Sequence, residues 1–81
     1  MKLNSQDRKD RYSLNLNGAE VARYISKDNT YYIVNYINGN EFMKEVGREA
    51  FVDYVKSLAF VYIMNESISD DYRGFCKHCD I

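Results

Sequence analysis

The residues that come closest to a chemical motif are Cys76, His78 and Cys79, which lie within four consecutive positions. Thiolate and imidazole groups bind zinc, but a structural zinc site has four ligands and this segment supplies at most three. The fourth ligand would have to come from a nearby aspartate or from a second copy of the chain. We therefore keep zinc at these three residues as a minor alternative, and we expect that no cofactor is bound.

The same two cysteines form a Cys-x-x-Cys pair, which in thioredoxin-like proteins is a redox site at the start of a helix that follows a strand. Here the pair falls close to the end of the sequence and outside any βαβ pattern. His78 stands next to Cys79, but no third residue is available to orient it as a catalytic base. The glycines are too scattered for a phosphate-binding loop. We predict that the protein is not an enzyme.

The composition of the chain indicates one small globular domain. Its 81 residues are 46% hydrophobic and 28% charged, with a formal net charge of −1. This balance disfavours a general nucleic-acid binder, which normally carries an excess of Lys and Arg. The start of the sequence lacks the apolar region of a signal peptide, and the longest apolar run, Leu58 to Met64, is too short to span a membrane. These features predict a cytoplasmic protein.

Alternating polar and apolar residues, interrupted by turn signals, predict an antiparallel meander of four strands. The strongest hairpin signal is Asn17-Gly18, because a type I′ turn requires positive φ at both central residues. A two-residue loop there places Leu16 opposite Ala19 and Leu14 opposite Val21. The turn and the hydrophobic pattern agree on this register.

A second Asn-Gly pair, Asn38-Gly39, follows a segment whose aromatic and β-branched residues predict a strand. A two-residue loop at this pair would mix polar and apolar side chains on both faces of the sheet. A loop of three residues separates them better, and we prefer it. In that register four apolar side chains share one face, namely Tyr31, Ile33, Ile37 and Met43.

Helical periodicity begins at Arg48 and continues to about Asn65. The second half of this helix is apolar all round, and one sheet covers only one side of a helix. We expect a flexible arm over residues 1–10, a single domain over residues 11–66 and an irregular tail over residues 67–81. The predicted fold is α+β, with a four-stranded antiparallel β-meander followed by one long C-terminal helix.

This fold has more apolar surface than one sheet and one helix can bury, and monomers rarely expose large apolar patches. We therefore predict a protein-binding module that acts through an apolar, tyrosine-rich interface, most simply as a homodimer. The predicted interface residues are Tyr31, Ile33, Ile37, Met43, Phe60 and Ile63. Many residues have AT-rich codons, as in low-GC bacteria and their phages, so the hypothesis includes a phage-type viral accessory or inhibitor protein.

The alternative function is a small regulator that binds nucleic acid. Aromatic side chains on a sheet stack against bases, and basic side chains bind the phosphates. The residues that would do this are Arg8, Lys9, Arg11, Tyr24, Tyr32 and Tyr36. The Lys and Arg residues are dispersed along the sequence rather than clustered, which disfavours nucleic acid as the main partner.

Overall fold

A computed structural model of the protein describes residues 3–63 and 70–81, with side chains of the first range described as far as residue 58. The described chain forms five strands followed by two helices. The strands are β1 (Leu3–Arg8), β2 (Arg11–Leu16), β3 (Ala19–Ile25), β4 (Thr30–Ile37) and β5 (Asn40–Val46). The helices are α1 (Arg48–Ile63) and α2 (Asp70–His78). The α+β class and the antiparallel meander are confirmed, with one strand and one helix more than predicted.

Residues 3–8, which we predicted to belong to a flexible arm, form β1 at one edge of the sheet. The prediction was wrong because this segment lacks the apolar alternation of a half-buried strand. Its backbone nevertheless pairs with β2 along its whole length, and Leu3, opposite Leu16, packs against the core. An edge strand with polar side chains is stable here because β2 provides the backbone hydrogen bonds and α2 packs against the strand.

Both Asn-Gly pairs form the same two-residue turn, with φ of 53° and 85° at Asn17-Gly18 and 52° and 80° at Asn38-Gly39. Positive φ at both central residues is the signature of a type I′ turn. At the first turn this confirms the predicted pairing of Leu16 with Ala19. At the second turn it contradicts the predicted three-residue loop. The backbone preference of the Asn-Gly pair therefore outweighed the separation of polar from apolar side chains.

A β-bulge shifts the pairing of β2 with β3 beyond the first turn. The register skips Val21, so Leu14 lies opposite Ala22 and not opposite Val21 as predicted. Tyr12 consequently lies opposite Tyr24. Because a bulge bends the strand locally, Val21 and Ala22 both reach the core although they are consecutive.

Residues 70–78, which we predicted to be irregular, form α2. Acidic residues in the first turn of α2 and basic residues in its last turn complement the helix dipole. Just beyond α2, Asp80 has a φ of 57°, and the Ile81 amide donates a 2.9 Å hydrogen bond to the Cys76 carbonyl, as in a Schellman motif. The sequence prediction missed α2 because its apolar stripe is short. That stripe consists of Tyr72, Phe75 and Cys79.

The hydrophobic core lies between one face of the sheet and the two helices. Its buried members are Leu14, Val21, Ala22, Phe51, Val55, Tyr72, Phe75 and Cys79. The rings of Phe51 and Phe75 lie 6.1 Å apart between centroids, and the Tyr72 hydroxyl donates a 2.9 Å hydrogen bond to the Val55 carbonyl. Thus α2 covers a side of α1 that the predicted fold left open. Neither α1 nor α2 has the length and apolar character of a membrane span within the described residues.

Arg48, the first residue of α1, links the end of α2 to the sheet. Its guanidinium donates to the carbonyl oxygens of Cys79 at 2.9 Å and Asp80 at 2.5 Å. It also donates to the Tyr31 hydroxyl at 3.0 Å. Carbonyl groups at a helix end lack partners within the helix, so one arginine side chain satisfies two of them and fixes where α2 ends.

Candidate functional surfaces

The cysteine and histidine side chains at the end of α2 contact different parts of the protein. Cys79 is 2% exposed in the core, and Cys76 is half-buried. The His78 ring stacks on Tyr12 with centroids 4.3 Å apart, and its Nε2 lies 3.3 Å from Oδ2 of Asp7. In the part of the chain that the structure describes, no three His, Cys, Asp or Glu side chains come together as a metal site would require.

The two cysteines are free thiols in surroundings that favour the protonated form. Burial raises the pKa of Cys79 to about 12 and also raises the pKa of Cys76. Thiol–disulfide exchange requires the thiolate, so these thiols are poorly suited to it at neutral pH. The geometry favours a packing role for this segment, and zinc remains the minor alternative.

Tyrosines on the helix-covered face of the sheet stack against each other. Tyr12, Tyr24 and Tyr31 lie opposite one another on β2, β3 and β4, with centroids 6.1 and 4.9 Å apart. Phe51 continues the series at 4.9 Å from Tyr31. Tyr24 was predicted to stack against bases and Tyr31 to lie in the interface. In the structure both rings pack between aromatic neighbours, and burial raises the pKa of Tyr24.

The large hydrophobic side chains that are exposed among the described residues all flank the Asn38-Gly39 turn. We call them the hairpin patch: Tyr36 (47% exposed), Ile37 (57%), Phe42 (51%) and Met43 (43%). The Tyr36 hydroxyl donates a 3.0 Å hydrogen bond to the Glu20 carbonyl, which restrains its ring at the surface. The patch is therefore exposed apolar surface on both faces of one hairpin.

The hairpin patch contains two of the predicted interface residues, Ile37 and Met43. Ile33 is half-buried on the helix-covered face. Met43 lies opposite Val34 and hence on the other face from Ile33 and Ile37, so the prediction that they share a face was wrong. The cause is the two-residue turn, which shifts β5 by one position relative to the predicted register. Two predicted side chains lie outside the described residues: Phe60 and Ile63.

Phe42, a member of the hairpin patch, was not among the predicted interface residues. The three-residue loop had placed Phe42 on a face with Tyr36, away from Ile37. In the observed register Phe42 lies opposite Asn35 and shares a face with Ile37. The type I′ preference of Asn38-Gly39 was the signal in the sequence that could have identified it.

The strand β5 is an edge of the sheet, and six of its seven residues are exposed. In a two-residue hairpin, the residues that flank the loop exchange backbone hydrogen bonds, and every second pair after them does the same. The pair Ile37–Asn40 flanks the loop and is therefore hydrogen-bonded, so the backbone groups of the even-numbered residues of β5 bond to β4. The backbone groups that point away from the sheet are consequently those of Glu41, Met43 and Glu45.

On the face of the sheet opposite the helices lies a polar cleft of about 320 Å³. The charged residues that line it are Arg8, Arg11, Glu20, Arg23 and Glu41. Arg8 and Arg11 lie directly opposite each other on β1 and β2, an arrangement of like charges that is unfavourable without an anion nearby. Tyr36 contributes an aromatic wall at the other end of the cleft.

Glu20 and Arg23 form an ion pair inside this cleft. The Arg23 guanidinium donates two hydrogen bonds to the Glu20 carboxylate, at 2.9 and 2.6 Å. Burial works to raise the pKa of Glu20, but hydrogen bonds from Arg23 and Ser13 outweigh it and lower that pKa. Hydrogen bonding to Glu20 also raises the pKa of Arg23. The charge of Arg23 is thus compensated within the protein.

The residues predicted to bind nucleic acid are divided between the two faces of the sheet. Tyr32 and Tyr36 lie on the cleft face with Arg8 and Arg11. Lys9 lies in the exposed turn between β1 and β2. Tyr24 lies on the helix-covered face, where it packs between two other tyrosines.

The hairpin patch with the β5 edge and the polar cleft are the two candidate binding surfaces. Comparisons of the chain with protein-family models, with curated proteins and with solved structures found no match in any of the three. The choice between the two surfaces accordingly rests on the geometry and charge of this chain alone.

Proposed function

We propose that the protein is a non-catalytic protein-binding module whose binding surface is the hairpin patch. The observation that carries this proposal is the exposure of four large hydrophobic side chains around one turn. Aromatic residues and methionine are enriched at the centres of protein interfaces. A phage-type accessory or inhibitor protein is the form of this function that the abundance of residues with AT-rich codons favours.

The size of the patch indicates what else the interface requires. Full burial of a large apolar side chain contributes about 1.5–3 kcal/mol, so four half-exposed side chains contribute roughly 3–6 kcal/mol when covered. Association costs at least about 4 kcal/mol in lost translational and rotational freedom. The patch alone is therefore marginal. Backbone hydrogen bonds along the exposed β5 edge would supply additional contacts, as in partners that extend a sheet by one strand.

The proposal is tested by capturing partners from the native cell with the tagged chain and with the double variant I37S/F42S. The control is K27S/D28S, which changes two exposed residues in the turn between β3 and β4. We expect the native chain and the control to retain the same partner, or the same self-association by sedimentation, and the patch variant to lose it. Circular dichroism verifies that the patch variant is folded. Equal binding by all three proteins would overturn the proposal.

A second candidate function is supported by the cleft face of the sheet. Two arginines, Arg8 and Arg11, and two tyrosines, Tyr32 and Tyr36, lie on this one face. This arrangement fits a single-stranded nucleic acid with phosphates on the arginines and bases on the rings. The net charge of −1 counts against it, so we rank it below protein binding.

Titration of a fluorescent single-stranded oligonucleotide at increasing salt concentration tests this second function. If it is correct, binding is measurable at low salt and the variant R8Q/R11Q lowers the slope of log K against log salt by about two. The matched control is K56Q/R73Q, which removes two positive charges from exposed positions on α1 and α2. Absence of binding at low salt, or equal binding by both variants, would eliminate the nucleic-acid function.

A further inference from the structure

The β5 edge presents backbone donors and acceptors together with exposed apolar side chains. The outward-pointing backbone groups belong to Glu41, Met43 and Glu45, and six of the seven residues of β5 are exposed. An exposed edge strand is a template for pairing with another strand. The occupant that the sequence of β5 favours is β5 of a second copy, because one register of that pairing places no like charges opposite each other.

A symmetric pair of antiparallel strands restricts the possible registers. The two-fold axis is perpendicular to the sheet, so residues that face each other must lie on the same face of it. The axis must then pass through one residue position of β5. The registers with the greatest overlap are centred on residues 41 to 45, and each places that residue opposite itself.

Charge eliminates four of these five registers. A centre at Glu41, Lys44 or Glu45 places that charged side chain directly opposite its own copy. A centre at Met43 places Glu41 opposite Glu45 twice. Like charges that face each other across a strand pair are destabilising. Only the register centred on Phe42 avoids every such contact.

We propose that the protein forms a two-fold dimer through antiparallel pairing of β5 with β5 of a second copy, centred on Phe42. This inference rests on the proposed function and names its partner. The two Phe42 rings face each other on the helix-covered side, and each Glu41 faces Met43 of the second copy. Each Lys44 faces Asn40. Phe42 and Met43, the two hairpin-patch residues on β5, then lie in the interface, whereas Tyr36 and Ile37 lie one strand further from it.

The register follows from the free strand edge as well as from the charges. Because Glu41 and Met43 both point their backbone groups outward, these two residues exchange the hydrogen bonds of the new strand pair. Phe42 occupies the central pair without hydrogen bonds, where facing side chains lie closest together. This position suits a pair of aromatic rings, which stack or pack edge to face.

The matched variants M43E and M43K test this register by sedimentation of the full chain over a range of concentrations. Both remove the same apolar side chain. In the proposed register, however, Met43→Glu places a negative charge opposite Glu41 of the second copy, whereas Met43→Lys places a positive charge there and forms an attractive pair. We expect M43E to weaken the dimer about tenfold more than M43K, and Glu41→Lys added to M43E to restore it. If the centre were at Met43, each variant would face its own charge and both would weaken the dimer equally.

The outcomes separate this inference from the proposed function. Equal weakening by the two Met43 variants overturns the register centred on Phe42, and a monomer at all concentrations overturns the pairing of β5 altogether. Suppose that the native chain is monomeric but captures a different protein, and that the I37S/F42S variant does not capture it. The binding function then stands, and the second copy is not the partner. If the I37S/F42S variant matches the native chain in both assays, both proposals fall.

Discussion

The two Asn-Gly hairpins of this protein have the same turn and opposite surroundings. The turns at Asn17-Gly18 and Asn38-Gly39 share positive φ at both central residues and close loops of equal length. In the first hairpin Leu14 and Ala22 are 0% exposed, whereas the second carries the hairpin patch. The difference lies in the position in the sheet, since β2 and β3 are internal strands and β5 is an edge. The turn sets the register, and the position in the sheet decides what that register buries.

The bulge adds a second difference between these hairpins. In the first, the skipped residue Val21 allows two consecutive apolar residues, Val21 and Ala22, to reach the core. In the second, pairing continues without a shift from Tyr31–Val46 to Ile37–Asn40. Strict alternation then distributes the apolar residues of the second hairpin over both faces. A regular register without a bulge is thus one reason why apolar side chains stay exposed there.

The largest predicted effect compares an alanine substitution in each hairpin. Leu14→Ala removes a fully buried side chain and leaves a cavity, so we expect it to lower the free energy of unfolding by about 2–5 kcal/mol. Phe42→Ala removes a larger side chain that is 51% exposed, and we expect a loss below about 1 kcal/mol. Urea unfolding measured at a concentration where the chain is monomeric gives both values. Similar losses would show that the second hairpin is packed as firmly as the first.

A smaller effect is predicted where the two hairpins are alike. Alanine in the left-handed region costs about 1–2 kcal/mol, and no heavy atom lies within 4 Å of a Cβ added at Gly18 or Gly39. Gly18→Ala and Gly39→Ala should therefore lower the free energy of unfolding by the same amount. The control is Gly74→Ala inside α2, where the added Cβ also meets no atom and alanine should stabilise by about 0.5–1 kcal/mol. A much larger loss at one turn than at the other would contradict the view that the two turns are equivalent.

The sequence was sufficient for features that depend on local chemistry. Asn17-Gly18 predicted its turn, and the change of periodicity at Arg48 predicted the start of α1. It was insufficient where a neighbour in space provides the stability. The backbone pairing that holds polar β1 to β2, and the packing of Phe75 against Phe51, are not visible in a local pattern.

The candidate binding surface was predicted only in part, for a related reason. Ile37 and Met43 were identified from their apolar character, but their placement on one face depended on the length of a loop. The separation of polar from apolar side chains favoured a three-residue loop, whereas the type I′ preference of Asn38-Gly39 favoured the two-residue loop that forms. Where a strand is a sheet edge, its hydrophobic pattern is a weak guide to register, because no core selects between its faces.

The smallest predicted effect concerns Glu20, which connects the two hairpins. Its carboxylate accepts hydrogen bonds from Arg23 within the β2–β3 hairpin, and its carbonyl accepts one from Tyr36 of the β4–β5 hairpin. Because the pKa of Glu20 is lower in the folded chain than its usual value, the ion pair stabilises the fold above that usual value. The stabilisation is lost as the pH falls through the lowered pKa. We expect Glu20→Gln to lower the free energy of unfolding by less than about 1 kcal/mol at neutral pH, since the pair is near the surface.

A double-mutant cycle with Glu20→Gln, Arg23→Gln and the double variant, measured by urea unfolding between pH 7 and pH 3, isolates this pair. The coupling between the two side chains should be present at pH 7 and should decrease as the pH falls through the lowered pKa of Glu20, because protonation removes the charge of the carboxylate. Because the substitution Glu20→Gln leaves the backbone carbonyl in place, the hydrogen bond from Tyr36 is the same in every variant and at every pH. A coupling that persists undiminished in acid would show that packing of the two side chains, and not their charge, joins the hairpins at this point.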